Sequence, residues 1–167
     1  MMGLGLAVEP LTGAVPAVTY GWNAETRILT ARFPVAHGAG FTGSVEVTGD
    51  DGAIVVLDVQ GGVLCGVEVV VWPGAEVHRR LTPPAAPPGR VLVPVTPAAS
   101  GIGAEEVETA IDADVTPGRD VLHLLIGGDE PARAVQVADH VVVELDAAGG
   151  VAGVWLDRVP PAPGAAA

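Results

Sequence analysis

The chain has 167 residues, which suits one domain or two small ones packed closely together. Its formal net charge is −12, and arginine supplies all eight positive side chains because the sequence contains no lysine. So acidic a surface repels phosphate groups, which argues against binding to nucleic acid or to an anionic membrane. The single cysteine, Cys65, excludes an internal disulfide.

The apolar residues indicate β-strands. Hydrophobic residues make up 49% of the chain but aromatic residues only 4%, so valine, alanine, leucine and isoleucine supply the core. Valine favours strands because its branched Cβ fits a pleated sheet. The 23 glycines and 15 prolines stand between the valine-rich runs, where they predict turns.

We predict that residues 1–16 form an N-terminal extension. The opening stretch is apolar but has no basic residue, and Glu9 and Pro10 interrupt it, so it does not match a signal peptide. No apolar run in the chain approaches the length that crosses a membrane. We therefore expect a cytoplasmic protein.

Residues 17–73 predict a first β repeat. Its strands are "AVTYGW", "TRILTARF", "GSVEVTG", "AIVVLDV" and "VEVVV". The stretch "DVQGG" between the last two predicts a tight turn, with Asp58 at its first position and Gly61 and Gly62 closing it.

Residues 74–108 read as a proline-rich linker that contains "LTPPAAPPG". The stretch "RVLVPV" predicts one extra strand near 90–95, at an edge because Pro94 has no N–H to donate. The stretch "GAEEVETA", at 103–110, is the one segment that suggests a helical turn.

Residues 109–160 repeat the first pattern at a spacing of about 90 residues. Here "DAAGG" corresponds to "DVQGG", so Asp146, Gly149 and Gly150 are expected to form the same turn. Residues 161–167 are expected to be a disordered tail. The sequence thus predicts an all-β protein of two similar antiparallel meanders, packed as a pseudo-two-fold sandwich or roll.

The two repeats resemble a small bacterial all-β domain family of unknown function. Its pattern is Tyr-Asp-x-x-x-Asp-x-Leu-Tyr-Ile, followed by Asp-x-x-Gly-x-Val-x-Gly-Ile-Glu-Ile. Glu68 matches the glutamate of that pattern in the first repeat, Trp155 replaces it in the second, and Trp22-Asn23 stands for the leading pair. The resemblance covers about two thirds of the chain and implies a tandem duplication. It implies no catalytic residues.

Few residues suggest a site. Asp112, Asp114 and Asp120 are the weak candidates for a metal, with Ca²⁺ the ion that carboxylates would favour, but a solvated strand face is the preferred explanation. His123 lies on a strand and is more typical of a core histidine than of a general base. Cys65 has no basic neighbour in sequence, and His37 lies in a glycine-rich loop that lacks a phosphate-binding pattern.

We therefore expect no catalytic residues and no cofactor. The leading hypothesis is a non-catalytic protein-interaction or structural β-domain protein, which self-associates or forms an accessory part of a bacterial assembly. A high mean hydropathy of +0.46 and valine runs without polar alternation suggest that a second subunit covers part of the surface, giving a homo-oligomer. The alternatives are a module that binds a small ligand or Ca²⁺, and a hydrolase with an unrecognised His/Asp site.

Overall fold

The computed structural model describes residues 5–36, 38–94 and 102–164. These residues form β-strands and no helix, which confirms the all-β class. The strands are β1 (Ala7–Pro10), β2 (Thr19–Trp22), β3 (Leu29–Arg32), β4 (Thr42–Thr48), β5 (Ile54–Gln60), β6 (Val63–Val71), β7 (Ala75–Val77), β8 (Gly89–Leu92), β9 (Ile102–Glu108), β10 (Ile111–Val115), β11 (Leu122–Ile126), β12 (Arg133–Ala138), β13 (Val141–Leu145) and β14 (Val151–Leu156).

The strands form two sheets. Sheet A has the order β1-β8-β6-β5-β4-β9, and the hairpin β2–β3 joins it through pairing of β3 with β6. Sheet B has the order β12-β13-β14-β11-β10-β7. Five strands therefore run in the same order in each sheet, β2-β3-β6-β5-β4 in one and β10-β11-β14-β13-β12 in the other. The order is not consecutive as in a simple meander, because β3 lies beside β6 and β11 lies beside β14.

The two sets also match in register. Asp58 on β5 lies opposite Gly66 on β6, and Glu144 on β13 lies opposite Gly153 on β14. In both pairs a β-bulge follows at once, with Cys65 as the extra residue in sheet A and Ala152 in sheet B. Asp58 is thus structurally equivalent to Glu144.

One hydrophobic core fills the space between the sheets. Alternate residues of the central strands point inward, as expected for sheets with one buried face. Inward residues of sheet A and of sheet B belong to a single packed cluster that includes Leu29, Val45, Val55, Leu57, Val67, Val69, Ile111, Leu122, Leu124, Ile126, Val143, Val154 and Leu156. The sheets therefore share a core.

Short segments cross between the sheets. After β6 of sheet A the chain passes to sheet B, where β7 pairs with β10 in parallel. Before β10 of sheet B the chain runs through sheet A, where β9 pairs with β4 in parallel. The segment after β14 likewise crosses to β2, where the Tyr20 hydroxyl donates to the Asp157 carbonyl and the Trp22 indole N–H to that of Pro160.

The regions outside the two sets contain more structure than the sequence indicated. In the N-terminal extension, β1 pairs with β8 of the linker. The linker contributes β7 and β9 as well as β8, which lies where the extra strand was expected. The helical turn predicted at 103–110 is wrong, because β9 completes the edge of sheet A by pairing with β4 over seven residues. In the expected tail, the Pro163 carbonyl accepts a hydrogen bond from the Arg27 guanidinium. Residues 165–167 of that tail lie outside the described residues.

The proline-rich linker covers part of the outer face of sheet B, the face turned away from the shared core. Val121, Val142 and Trp155 form a second buried cluster there, and Leu81 and Ala86 of the linker pack against it. This contact explains why "HVVVEL" lacks polar alternation, since both sides of that strand are covered within the chain. Within the described ranges, no helix is long and apolar enough to cross a membrane.

Candidate functional site

The two glycine turns differ from each other. In the β13–β14 turn, Asp146 Oδ1 accepts hydrogen bonds from the backbone N–H groups of Ala148 and Gly150, and Gly149 has a φ of +83°. In the β5–β6 turn, Gly61 and Gly62 have φ values of +57° and +79° and form the whole two-residue turn.

Asp58 is not part of the β5–β6 turn. It lies inside β5, two residues before the strand ends, so the expectation that it caps the turn in the manner of Asp146 is wrong. The second turn is one residue longer than the first, and matching the glycines therefore shifted the alignment of the preceding strands. Asp146 is then equivalent to Gln60.

Asp58 instead forms an acidic pair on the outer face of sheet A. Arg32 and Asp58 lie on either side of Gly66, and Glu68 follows on the same face of β6. Asp58 Oδ2 is buried and accepts no hydrogen bond from a described N–H or O–H group. Two ionised carboxylates offer no donor to each other and repel, so their proximity favours protonation of one of them.

The environment holds that proton on Asp58. The pKa of Asp58 is raised to about 7, mainly because burial removes water from the carboxylate. A hydrogen bond from the protonated Asp58 to Glu68, and the negative charge of Glu68, raise this pKa further, while the positive charge of Arg32 lowers it. Asp58 is thus protonated more readily than an exposed aspartate.

An open cleft with a volume of about 500 Å³ lies beside this pair. Asp58 and Cys65 reach it from the strands, and it is lined by Thr19, Arg32, Phe33, Pro34, Thr42, Gly43, Asp58, Val59, Gln60 and Cys65. Burial raises the pKa of the Cys65 thiol, and the nearby Asp58 charge adds to this effect, so Cys65 is held as a neutral thiol. The cleft offers hydroxyl, amide, carboxyl and guanidinium groups to a small ligand.

The equivalent position in sheet B carries a histidine–carboxylate pair. His123 Nε2 lies 2.6 Å from Glu144 Oε1, and both side chains are largely buried. The His123 ring stacks on Trp155 at a centroid distance of 3.8 Å, and the Trp155 indole N–H is buried with no hydrogen-bond partner among the described residues. His123 on β11 thus has a carboxylate partner within the protein. This contact agrees with the interpretation of His123 as a structural histidine.

The three metal candidates do not form one group. Asp112 is exposed on β10, and Asp120 Oδ1 accepts a hydrogen bond from the Thr116 hydroxyl in the turn that follows. Asp114 faces the edge strand β7, where its Oδ1 lies 2.9 Å from His78 Nε2. Glu76 Oε1 lies 3.9 Å from the same nitrogen. His37, the other histidine considered, lies outside the described residues.

Sequence reasoning missed Glu76 and His78 because they stand in the segment read as a linker. The parallel pairing of β7 with β10 brings them to Asp114, and three residues are too few for a strand pattern to be visible. No protein-family model matches this chain, and no curated protein is detectably similar to it.

Proposed function

We propose that the protein is a non-catalytic, cytoplasmic β-sandwich protein that binds other protein chains, and that a second copy of itself is one partner. The observation that supports this proposal is the free edge of sheet B at β7. The same strand order in both sheets supports the related proposal that the chain arose by tandem duplication of a β-domain of the family described above. An accessory place in a bacterial assembly agrees with a binding role.

The β7 edge offers both backbone and apolar contacts. All three residues of β7 are exposed, and among the described strands only β10 pairs with it, on one side. Val71 and Val77 are the exposed large hydrophobic residues among those described, at 44% and 60% exposure, and they flank this crossing segment. An unpaired strand edge beside exposed valines is a template for adding a strand from another chain.

Self-association through the faces of the sheets, which the valine runs suggested, has less support. Linker residues Leu81 and Ala86 already cover the apolar outer face of sheet B. The outer face of sheet A carries Arg32, Asp58 and Glu68. We therefore expect a two-fold pair of β7 edges, the closed arrangement that most homodimers adopt.

Light scattering coupled to gel filtration tests this proposal. We expect the wild type at about 50 µM to have twice the chain mass. Val77→Lys should give the monomer mass, because it removes the apolar contact and places like charges across the two-fold axis. Ala147→Lys makes the same charge change at an exposed turn of sheet B and should leave the dimer intact. A wild-type monomer at this concentration, or a dimer that survives Val77→Lys, would refute β7-mediated pairing.

A small-ligand function is the second candidate, and the cleft of sheet A favours it. Asp58 Oδ2 has no donor in the described chain and lies beside a cleft that a small polar molecule can enter. A screen of amines, polyols and hydroxy acids by thermal shift would detect such a ligand, since binding to the folded state alone raises the Tm. The shift should disappear in Asp58→Ala. If no compound raises the Tm by more than 1 °C at about 10 mM, this candidate is rejected.

A further inference from the structure

We propose that Glu76, His78 and Asp114 bind a divalent transition-metal ion of the zinc type. This site connects the edge strand β7 to the body of sheet B. It goes beyond the proposed binding function, and it differs from the Ca²⁺ hypothesis in its residues and in the ion.

The backbone places the three side chains on one face. Parallel pairing sets Glu76 directly beside Asp114, and His78 follows Glu76 by two residues, which returns it to the same side of the strand. The His78 backbone N–H donates to the Val115 carbonyl at 2.8 Å, so the ladder extends as far as the histidine. One ligand thus comes from β7, one from the residue that follows it and one from β10.

The spacing of the donor atoms fits a single ion. One nitrogen and two carboxylate oxygens all lie within 4.8 Å of one another. Two ligands about 2.1 Å from an ion, at a near-tetrahedral angle, are about 3.4 Å apart. The distances from His78 Nε2 to Asp114 Oδ1 and Glu76 Oε1, 2.9 and 3.9 Å, lie on either side of that value, so small side-chain rotations would form the site.

The charges around the cluster also favour the binding of a cation. Glu76 and Asp114 bring two carboxylates together, and within the described residues neither of them forms an ion pair with an arginine. A bound divalent ion would neutralise this pair and replace the contact between His78 and Asp114. Glu76 is 79% exposed, which leaves the fourth position of a tetrahedral ion open to water.

The donor set selects the class of ion. Imidazole nitrogen suits zinc and its transition-metal neighbours, whereas Ca²⁺ takes six to eight oxygen ligands. The consequence for the fold is a cross-link between a strand of three residues and its neighbour. We therefore expect the metal to raise the stability of the β7 edge.

His140 provides a matched control. Its side chain also lies near two carboxylates, with Asp139 at 3.9 Å from Nε2 and Asp157 at 3.9 Å from Nδ1. The two carboxylates lie at opposite ring nitrogens. An ion bound to one ring nitrogen therefore cannot also bind both carboxylates. His140→Ala therefore removes another partly exposed histidine without removing the proposed site.

The experiment is calorimetric titration of the untagged, EDTA-treated full chain with Zn²⁺. We expect one ion per chain, with affinity reduced at least tenfold in His78→Ala and in Asp114→Asn and changed less than twofold in His140→Ala. Zn²⁺ should also raise the Tm of the wild type but not that of His78→Ala. The thermal transition of His78→Ala shows at the same time that the variant is folded. Absence of binding at 100 µM Zn²⁺, or equal affinity in the wild type and His78→Ala, would overturn the proposal.

Discussion

A glycine makes room for an acidic side chain on the outer face of each sheet. A Cβ on Gly66 would lie 3.1 Å from Asp58 Oδ2, and one on Gly153 would lie 2.5 Å from Glu144 Oε1. The two positions differ only in the neighbouring side chains. Sheet A sets a second carboxyl, Glu68, near Asp58, whereas sheet B sets an imidazole beside Glu144. The same backbone therefore holds two different chemical pairs.

The proton on Asp58 makes stability depend on pH. The folded pKa of about 7 exceeds the ordinary value of 3.8, so the folded chain binds this proton more tightly than the unfolded chain. The resulting stabilisation is complete below about pH 4 and is lost as the pH rises from about 4 to about 7. Asp58→Asn keeps a donor for Glu68 and has no proton to lose. We expect its free energy of unfolding, relative to the wild type, to increase with pH across this interval in urea titrations.

Asp50→Asn is the control for this effect. Asp50 is an exposed acid in the β4–β5 turn, so the variant makes the same charge change without touching the pair. A constant difference between Asp58→Asn and the wild type from pH 4 to 7 would contradict the raised pKa of Asp58.

The loops that contain Gly38 and Gly61 approach each other closely. Gly61 has a φ of +57°, and a Cβ there would overlap the backbone of Gly38. Gly52 has a similar φ of +88° but faces open space. Gly52→Ala should therefore cost only the strain of a left-handed residue, about 1 kcal/mol. Gly61→Ala should cost clearly more by urea unfolding, and equal losses would show that the loop at Gly38 moves aside.

These residues show how far the sequence could predict the site. Asp146 and Gly149 stand at a turn because their chemistry is local: a side chain bonds the next backbone groups and a glycine takes positive φ. The role of Asp58 depends on the register with β6 and on the position of Glu68 across the sheet. A difference of one residue in turn length changes that register, and the spacing of the glycines does not reveal it.

At the scale of elements, the linker is part of the structure and not merely a connection. It supplies β8, which pairs with β1, and Leu81 packs on the outer face of sheet B. Pro-rich composition correctly indicates irregular chain over 83–87, but it does not show that the segment lies on apolar residues. Strands β7 and β9 were missed for a related reason, since each pairs with a strand far away in the sequence and their own patterns are weak.

Removal of the Leu81 side chain tests the contact between the linker and sheet B. Leu81→Ala deletes apolar atoms that pack on Val121, Val142 and Trp155. Because Leu81 is only partly buried, we expect a loss of about 1–2 kcal/mol, less than for a core leucine. Trp155 should become more accessible to acrylamide. Thr82→Ala, at the exposed neighbouring position, should change neither quantity. Unaltered stability and quenching in Leu81→Ala would mean that the linker does not pack there in solution.

At the scale of the whole molecule, the two five-strand sets are not independent domains. Their inward residues form one core, and each sheet contains a strand that borders the other set in sequence. Neither set can bury its apolar face without the other. The chain should therefore unfold in one cooperative step, as small single domains do.

The tryptophans allow this cooperativity to be measured. Trp22 and Trp72 stack on each other near sheet A, with centroids 5.7 Å apart, while Trp155 lies on sheet B. In Trp155→Phe, fluorescence reports the first pair, and in the double variant Trp22→Phe/Trp72→Phe it reports Trp155. Within each variant, we expect the fluorescence and circular dichroism transitions in urea to coincide. Separate midpoints in either variant would show that one sheet unfolds before the other.

The crossing of strands between the sheets also determines when the protein can fold during its synthesis. As the chain leaves the ribosome, β4 has a free edge until β9 emerges, more than fifty residues later. In turn, β7 has no neighbour until β10 has been made. The hydroxyl of Tyr20 has no acceptor until Asp157 has been made, 137 residues later. The nascent first half thus exposes valine-rich edges for most of its time on the ribosome, and such edges aggregate readily. Molecular chaperones that shield nascent chains should increase its soluble yield.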